Sequence, residues 1–159
     1  MSERLDTREA VTILDAMGDP NLFGPWFRDP ATWRAWRAFL AALFGLPMDD
    51  AMAELYRQCT GRSEPPAAPQ TEATLVVGRR GGKSFILALI AVYLATFRDW
   101  RPHLAPGERG TVMVIATDRR QARTIFRYVA ALLRGVPMLA ALIERQTGDC
   151  IDLAGRISI

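Results

Sequence analysis

The sequence is poor in most of the residues that carry conspicuous chemistry. It has two cysteines, Cys59 and Cys150, in 159 residues. They are too few and too isolated for a disulfide framework or a zinc site, which points to a reducing compartment. Its one histidine, His103, stands beside Pro102 and reads as a loop residue rather than a ligand. The longest apolar run, Phe85 to Phe97, is shorter than the ~20 residues a bilayer-spanning helix needs. The N-terminus, Met1-Ser2-Glu3-Arg4, leads into no secretory apolar stretch. The expectation is a soluble cytoplasmic protein with no membrane partner. Scarcest of all is lysine. Nineteen of the twenty cationic side chains are arginine, and Lys83 is the exception.

Half of the residues are apolar and 23% are charged, an ordinary globular composition. A chain of this length can bury roughly 70% of its unfolded surface in one core. The formal net charge of +3 conceals a division. Residues 1–70 carry 7 Arg against 10 acids, and residues 71–159 carry 13 Lys and Arg against 7 acids. The basic half therefore suits polyphosphate or nucleic acid.

Local patterns divide the chain into an N-terminal helical segment (1–61), a linker (62–71) and an α/β core (72–159). A short helix is expected over 8–17. Asp29-Pro30 opens a second helix, with Asp as N-cap and Pro at the first helical position, and Gly45 closes it. Asp49-Asp50 opens a third, closed by Gly61. The run Arg62-Ser63-Glu64-Pro65-Pro66-Ala67-Ala68-Pro69 suits neither helix nor central strand. Beyond it, Ala73–Val77 reads as a buried strand, 84–100 as a helix apolar nearly all round, and Thr111–Ala116 as a second strand. An amphipathic helix follows over 119–134, with Ala122, Ile125, Phe126, Val129, Leu132 and Leu133 inward. A short helix is expected over 139–145, and a hairpin over 150–159. Strand and helix alternating in this order predict a parallel sheet flanked by helices.

Lys83 lies in Gly78-Arg79-Arg80-Gly81-Gly82-Lys83-Ser84, between an expected strand and an expected helix. Phosphate-binding loops occupy that position, because backbone N–H groups and a helix N-terminus together cradle an anion. A compact ammonium on a flexible stem reaches the β- and γ-phosphates of a nucleotide where a planar guanidinium does not fit. Ser84 would complete a Mg²⁺ shell, and Gly81 and Gly82 let phosphate approach the backbone. The pattern departs from G-x-x-x-x-G-K-[ST] at its first position, where Val77 stands and glycine follows at Gly78. The alternative is a glycine-rich turn with an incidental lysine. Arg79 could stabilise charge on a γ-phosphate, as could Arg80, or either could simply be solvated.

With these residues in view, the sequence resembles the N-terminal ATPase domain of phage terminase large subunits, over about residues 20–159. The resemblance rests on the arginine-bearing loop Val77–Ser84 and on the strand Val112–Ala116 followed by Thr117-Asp118-Arg119-Arg120-Gln121-Ala122. It rests also on Gly148-Asp149 running into Ile151–Ile157. It implies a partial P-loop NTPase fold with an N-terminal helical segment, binding ATP and Mg²⁺ through Gly78, Arg80, Gly81, Gly82, Lys83 and Ser84. Lys83 and Arg79 would be the catalytic residues, with Arg79 as sensor or finger. It further implies double-stranded DNA, a terminase small subunit, a portal and a homo-oligomeric motor as partners, in the host cell cytoplasm. Trp33, Trp36 and Arg37 stand where the family has an adenine-contacting segment; core packing is the simpler account of the two tryptophans.

The resemblance stops short of a Walker B strand. Val112–Asp118 has Thr117 before its Asp and Arg119 where Glu should stand, and the nuclease carboxylates are not in this sequence. The chain is therefore expected to be a front portion of an ATPase domain, weakly active or inactive alone. Two other readings stay open. One is a fragment of a helicase-like translocating ATPase. The other is a non-catalytic phosphate or nucleic-acid module whose contact stripe is Arg119, Arg120, Arg123, Arg127 and Arg134, with the solvated helix face as the plainer account of that stripe.

Overall fold

A computed structural model describes residues 11–159. They form a mixed α/β structure divided into two units, one spanning Ile13–Gly81 and the other Gly82–Ile159 together with Val11 and Thr12.

The first unit is helical: α1 (Ile13–Gly18), α2 (Pro30–Phe44) and α3 (Asp50–Thr60). Of the helix expected over 8–17, residues 8–10 lie outside the described residues, and the remainder starts later, at Ile13. Both longer helices begin and end where their local signals place them. The Asp29 carboxylate accepts from the Ala31 N–H at 3.1 Å and from the Thr32 hydroxyl, and Pro30 supplies the first helical position. Asp49 accepts from the Met52 N–H at 2.8 Å. Gly45 and Gly61 end the two helices in the left-handed conformation, at φ 62° and 69°. α2 packs against α3 and buries Ala38, Leu40, Ala41, Ala42 and Phe44.

Segment 62–71 returns to the end of α2, where the Gln70 N–H donates to the Leu43 carbonyl at 2.8 Å. A Cβ on Gly45 would stand 2.3 Å from the Ala68 carbonyl carbon, so glycine is required there by space as well as by φ. The following stretch departs from expectation. Ala73–Val77 forms no strand; its Val76 side chain is fully exposed and Leu75 is 43% exposed. β-branched residues favour an extended, half-buried surface, yet a ladder needs a partner, and the described residues offer this stretch none.

The second unit holds α4 (Lys83–Thr96), β1 (Gly110–Thr111), α5 (Arg119–Gly135), α6 (Pro137–Ala140), β2 (Ile143–Gln146), β3 (Ile151–Leu153) and β4 (Ile157–Ser158). α4 buries Ile86, Ala88, Leu89, Val92 and Tyr93, and packs along α5, which buries Ile125, Val129, Leu132 and Leu133. Phe85 of α4 meets Tyr128 of α5 edge-to-face, with centroids 5.3 Å apart. The Tyr93 hydroxyl donates to the Val11 carbonyl at 2.9 Å. Asp118 caps α5 by accepting from the Gln121 N–H at 2.9 Å.

The sheet runs β1-β4-β3-β2, with β1 parallel to β4 and the other two pairings antiparallel. The wholly parallel sheet expected from the alternation of elements is thus absent among the described residues. The expected strand 111–116 enters the ladder only at its start, where the Val112 N–H donates to the Ser158 carbonyl at 2.8 Å. The hairpin over 150–159 forms as read, and its turn holds Gly155 at φ 90° and Arg156 at φ 66°. The helix expected over 139–145 is instead a single turn, α6, followed by β2. Leu, Glu, Arg and Gln favour helix intrinsically, but pairing of Ile143–Gln146 with β3 outweighs those small preferences.

One guanidinium fastens this hairpin. Arg109 donates to the carbonyls of Leu153 and Ile157 at 3.3 and 3.1 Å and to Glu144 at 3.2 Å. Behind it, Asp152 accepts from the buried Ser158 hydroxyl at 2.7 Å and pairs with Arg145 at 3.2 Å. The Ser158 bond chiefly, with the Cys150 thiol and the charges of Arg109 and Arg145, holds the Asp152 carboxyl below its ordinary range.

Two consequences are measurable. Gly45→Ala should destabilise the chain by about 2 kcal/mol or more, since it meets both the left-handed cost and the Ala68 backbone. Gly61→Ala, with open space around it, should cost only about 1 kcal/mol. Urea denaturation compares the two. For Asp152, the unfolded chain takes up the proton before the folded one, so its contribution is present above the ordinary carboxylate range and is lost as pH falls through the lowered folded value. Between about pH 6 and about pH 3, Asp152→Asn should therefore lose less of its urea midpoint than the wild type does.

Candidate functional site

The glycine loop leads into α4, and the division between the two units falls between Gly81 and Gly82. On its downstream side Gly82 is left-handed, at φ 81° and ψ 1°, and precedes α4 without any side-chain cap. Lys83 is the first helical residue and is exposed; Ser84, the second, is half-buried. Phe85 and Ile86 turn their N–H groups back to the Gly82 carbonyl, both at 3.1 Å. Among the described residues, nothing accepts a hydrogen bond from the N–H groups of Lys83 and Ser84, as at the first turn of any helix. They stand at the positive end of the α4 macrodipole. The apolar remainder of α4 is held in the core, which fixes the direction of this first turn.

On the upstream side the Gly81 N–H donates to the Gly78 carbonyl at 3.3 Å, and Arg80 takes a left-handed φ of 61°. That conformation costs a non-glycine residue about 1 kcal/mol. Arg79 and Arg80 are exposed, and among the described residues neither forms an ion pair with a carboxylate. The three glycines are not equivalent. Gly82 is required by its φ, and a Cβ on Gly81 would stand 2.6 Å from Val77 Cγ1. A Cβ on Gly78 would meet nothing within 4 Å, so the protein's own packing does not ask for glycine there.

Trp36 is the residue whose role sequence reasoning missed. Its indole N–H donates to the Gly81 carbonyl at 2.8 Å, while its ring meets Phe39 edge-to-face. The half-buried indole thus ties α2 to the loop within the first unit. Trp33, by contrast, packs on Phe27 at 4.8 Å, as core packing predicts. The signal available in the sequence was the indole itself, which carries an N–H that seeks a partner when it is covered. Beside Trp36 runs a groove of about 860 Å³ in the same unit, lined by Phe39, Leu43, Leu55, Tyr56 and the stretch from Glu72 to Gly78.

The loop can hold an anion: it offers an ammonium, two guanidinium groups, a hydroxyl and the opening N–H groups of a helix. Nucleotide phosphates match these donors. A metal ion is less well served by the chain itself. No Asp or Glu occurs between Glu72 and Asp99, and the described residues contain no cluster of three or more His, Cys, Asp or Glu able to hold a metal. Ser84 would be its one ligand from the loop, with phosphate oxygens supplying others. Asp118, the nearest approach to a Walker B acid in the sequence, is occupied as the α5 cap. The arginines of α5 divide. Arg119 lies 3.8 Å from Asp149, and Arg134 donates to Gln146 at 2.7 Å. Arg120 and Arg123 are exposed, with no side-chain partner among the described residues. No described helix is long and apolar enough to cross a membrane.

If the indole N–H holds the loop, Trp36→Phe should keep the ring packing and release the Gly81 carbonyl. Losing a hydrogen bond of about 1 kcal/mol should raise the open fraction of the loop about fivefold. Trypsin cleavage after Arg79 and Arg80, followed by mass spectrometry under native conditions, reads that change; an unaltered cleavage rate would dismiss the tether.

No family model, curated protein or solved structure matches this chain.

Proposed function

We propose that this chain is the ATP-binding front portion of a terminase large subunit, with a partial P-loop NTPase fold, whose intact motor couples ATP hydrolysis to the movement of double-stranded DNA. The observation that carries the reading is the placement of Lys83 and Ser84. They open a helix anchored in the core, directly after a left-handed glycine, in a stretch with three cationic side chains and no acid. Gly78, which nothing in the protein requires, adds backbone that a phosphate can approach.

In this reading Lys83 binds the β- and γ-phosphates, and the N–H groups of the loop and of the first turn of α4 surround them. Ser84 supplies a hydroxyl to Mg²⁺, and Arg79 reaches the γ-phosphate, where it stabilises developing charge. Arg80 contributes to the same anion site. Bound MgATP supplies the phosphoryl group to be transferred; the chain supplies positioning and electrostatic stabilisation. A carboxylate to orient water is not among these residues, so turnover by the chain alone is weak. The small subunit, the portal, a homo-oligomeric motor and a host-cytoplasmic setting belong to this proposal with the DNA. A second reading, a phosphate or nucleic-acid module without catalysis, is favoured only by the unpaired Arg120 and Arg123 on α5.

Calorimetric titration with Mg-ATP-γ-S separates the two. The wild type should bind saturably, and Lys83→Ala should bind about tenfold to a hundredfold more weakly, the weight of a hydrogen bond between charged groups. Arg127→Ala should leave binding unchanged. Salt-sensitive DNA binding that is indifferent to Lys83→Ala and to nucleotide would replace the proposal with the second reading.

A further inference from the structure

The two edges of the sheet are unlike. β2, at one edge, is short and carries Glu144, Arg145 and Gln146, all exposed, a composition that discourages pairing with another chain. β1, at the other edge, runs on into Val112-Met113-Val114-Ile115-Ala116, apolar throughout and without a ladder partner among the described residues. Exposure alternates along it: Met113 and Ile115 are 72% and 82% exposed, whereas Val112 and Val114 are half-buried. The even residues line a groove with Ala122 and Phe126 of α5.

Its hydrogen-bonding groups alternate too. Gly110 and Val112 turn their N–H groups to Arg156 and Ser158 of the neighbouring strand. In an extended chain, the backbone groups of residues 111, 113 and 115 then point outward, along the free edge. This is an apolar edge with unpaired groups at regular spacing, the arrangement that templates pairing with another strand.

We propose that this edge pairs with the same edge of a second copy of the chain, antiparallel about a two-fold axis through Val114. In that register Met113 of one copy and Ile115 of the other are a directly opposed, hydrogen-bonded pair, and this occurs twice. The outward N–H and C=O groups then satisfy each other, and the two exposed apolar side chains lie side by side on one face. Thr111 faces Thr117 of the second copy. The charges at the ends select this partner. Glu108 comes opposite Arg120, an exposed guanidinium with no side-chain partner in its own chain, and the pair forms at both ends. Arg109 and Arg119 also come opposite each other, but Arg109 is turned inward to Leu153, Ile157 and Glu144, and Arg119 toward Asp149. The pairing is closed, because a two-fold interface uses up the edge it is built from.

Sedimentation equilibrium over a concentration series, with scattering mass as a check, tests the assembly. Wild type should pass from 17.7 kDa toward twice that mass, and Met113→Lys with Ile115→Lys should remain monomeric with an unchanged far-ultraviolet spectrum. Arg120→Glu should weaken association about tenfold, and adding Glu108→Arg should restore it. A second measurement does not depend on those variants folding well. In a chain with Cys59→Ser and Cys150→Ser, Val114→Cys lies on the axis in a non-hydrogen-bonded pair, with Cα atoms about 4.5 Å apart, within disulfide range. Mild oxidation should cross-link it, and Val112→Cys, opposite Ala116 instead of itself, should stay uncross-linked. A wild type monomeric at all concentrations overturns the proposal. So does a dimer broken by Val76→Lys but indifferent to the changes at 113 and 115, or equal cross-linking at 112 and 114.

Discussion

α4 is apolar on every side, and a helix of that kind has no face it can leave to water. It has to be surrounded, and α5 is the element that lies along it, with Ile86, Leu89 and Val92 on one helix and Ile125, Val129 and Leu132 on the other all withdrawn from solvent. Burying one such aliphatic side chain is worth roughly 1.5–3 kcal/mol, so the helix cannot rotate or slide without exposing several at once. The first turn inherits that rigidity. Lys83 is exposed and Ser84 half-buried because the rest of the helix is committed to the core, and Phe85 against Tyr128 fixes the turn that bears them. A phosphate site is useful only if its donors are held in place before the ligand arrives, and here hydrophobic burial does the holding.

Backbone pairing is the other constraint, and its incompleteness shapes the molecule. β4 is held on both sides, by β1 and β3, and its Ser158 is buried while bonded to Asp152. Arg109 adds a cation that satisfies two carbonyls of the hairpin. The same accounting leaves Ala73–Val77 and Val112–Ala116 with strand-forming side chains and no ladder. Neither is short of β propensity; both are short of a neighbouring strand. Their exposed residues, Leu75, Val76, Met113 and Ile115, are half of the exposed large hydrophobics among the described residues.

The loop arginines illustrate how charge and conformation combine. Arg80 occupies a left-handed backbone position that glycine would fill at lower cost, and no carboxylate neutralises it or Arg79. Strain and unpaired charge are both unfavourable in isolation and are tolerated where something else repays them. An anion at the loop would repay both.

Local chemistry, written within a few residues, was fully legible in the sequence. Asp29-Pro30 and Gly45 delimit α2, Asp49 and Gly61 delimit α3, and Asp118 starts α5, because a cap depends on a side chain and an N–H two or three positions away. The inward face of α5 followed from its helical period, and the glycines around Lys83 marked the loop ahead of α4. Pairing over long range was not legible. Whether Ile143–Gln146 is helix or strand depends on β3, whether Ala73–Val77 joins a sheet depends on a partner outside its own sequence, and the reach of Trp36 to Gly81 spans 45 positions. Sequence alone determined where elements begin, which faces are apolar and where an anion could sit. Tertiary structure alone decided which strands found partners and what tethers the loop, since those are set by groups distant along the chain and close in space.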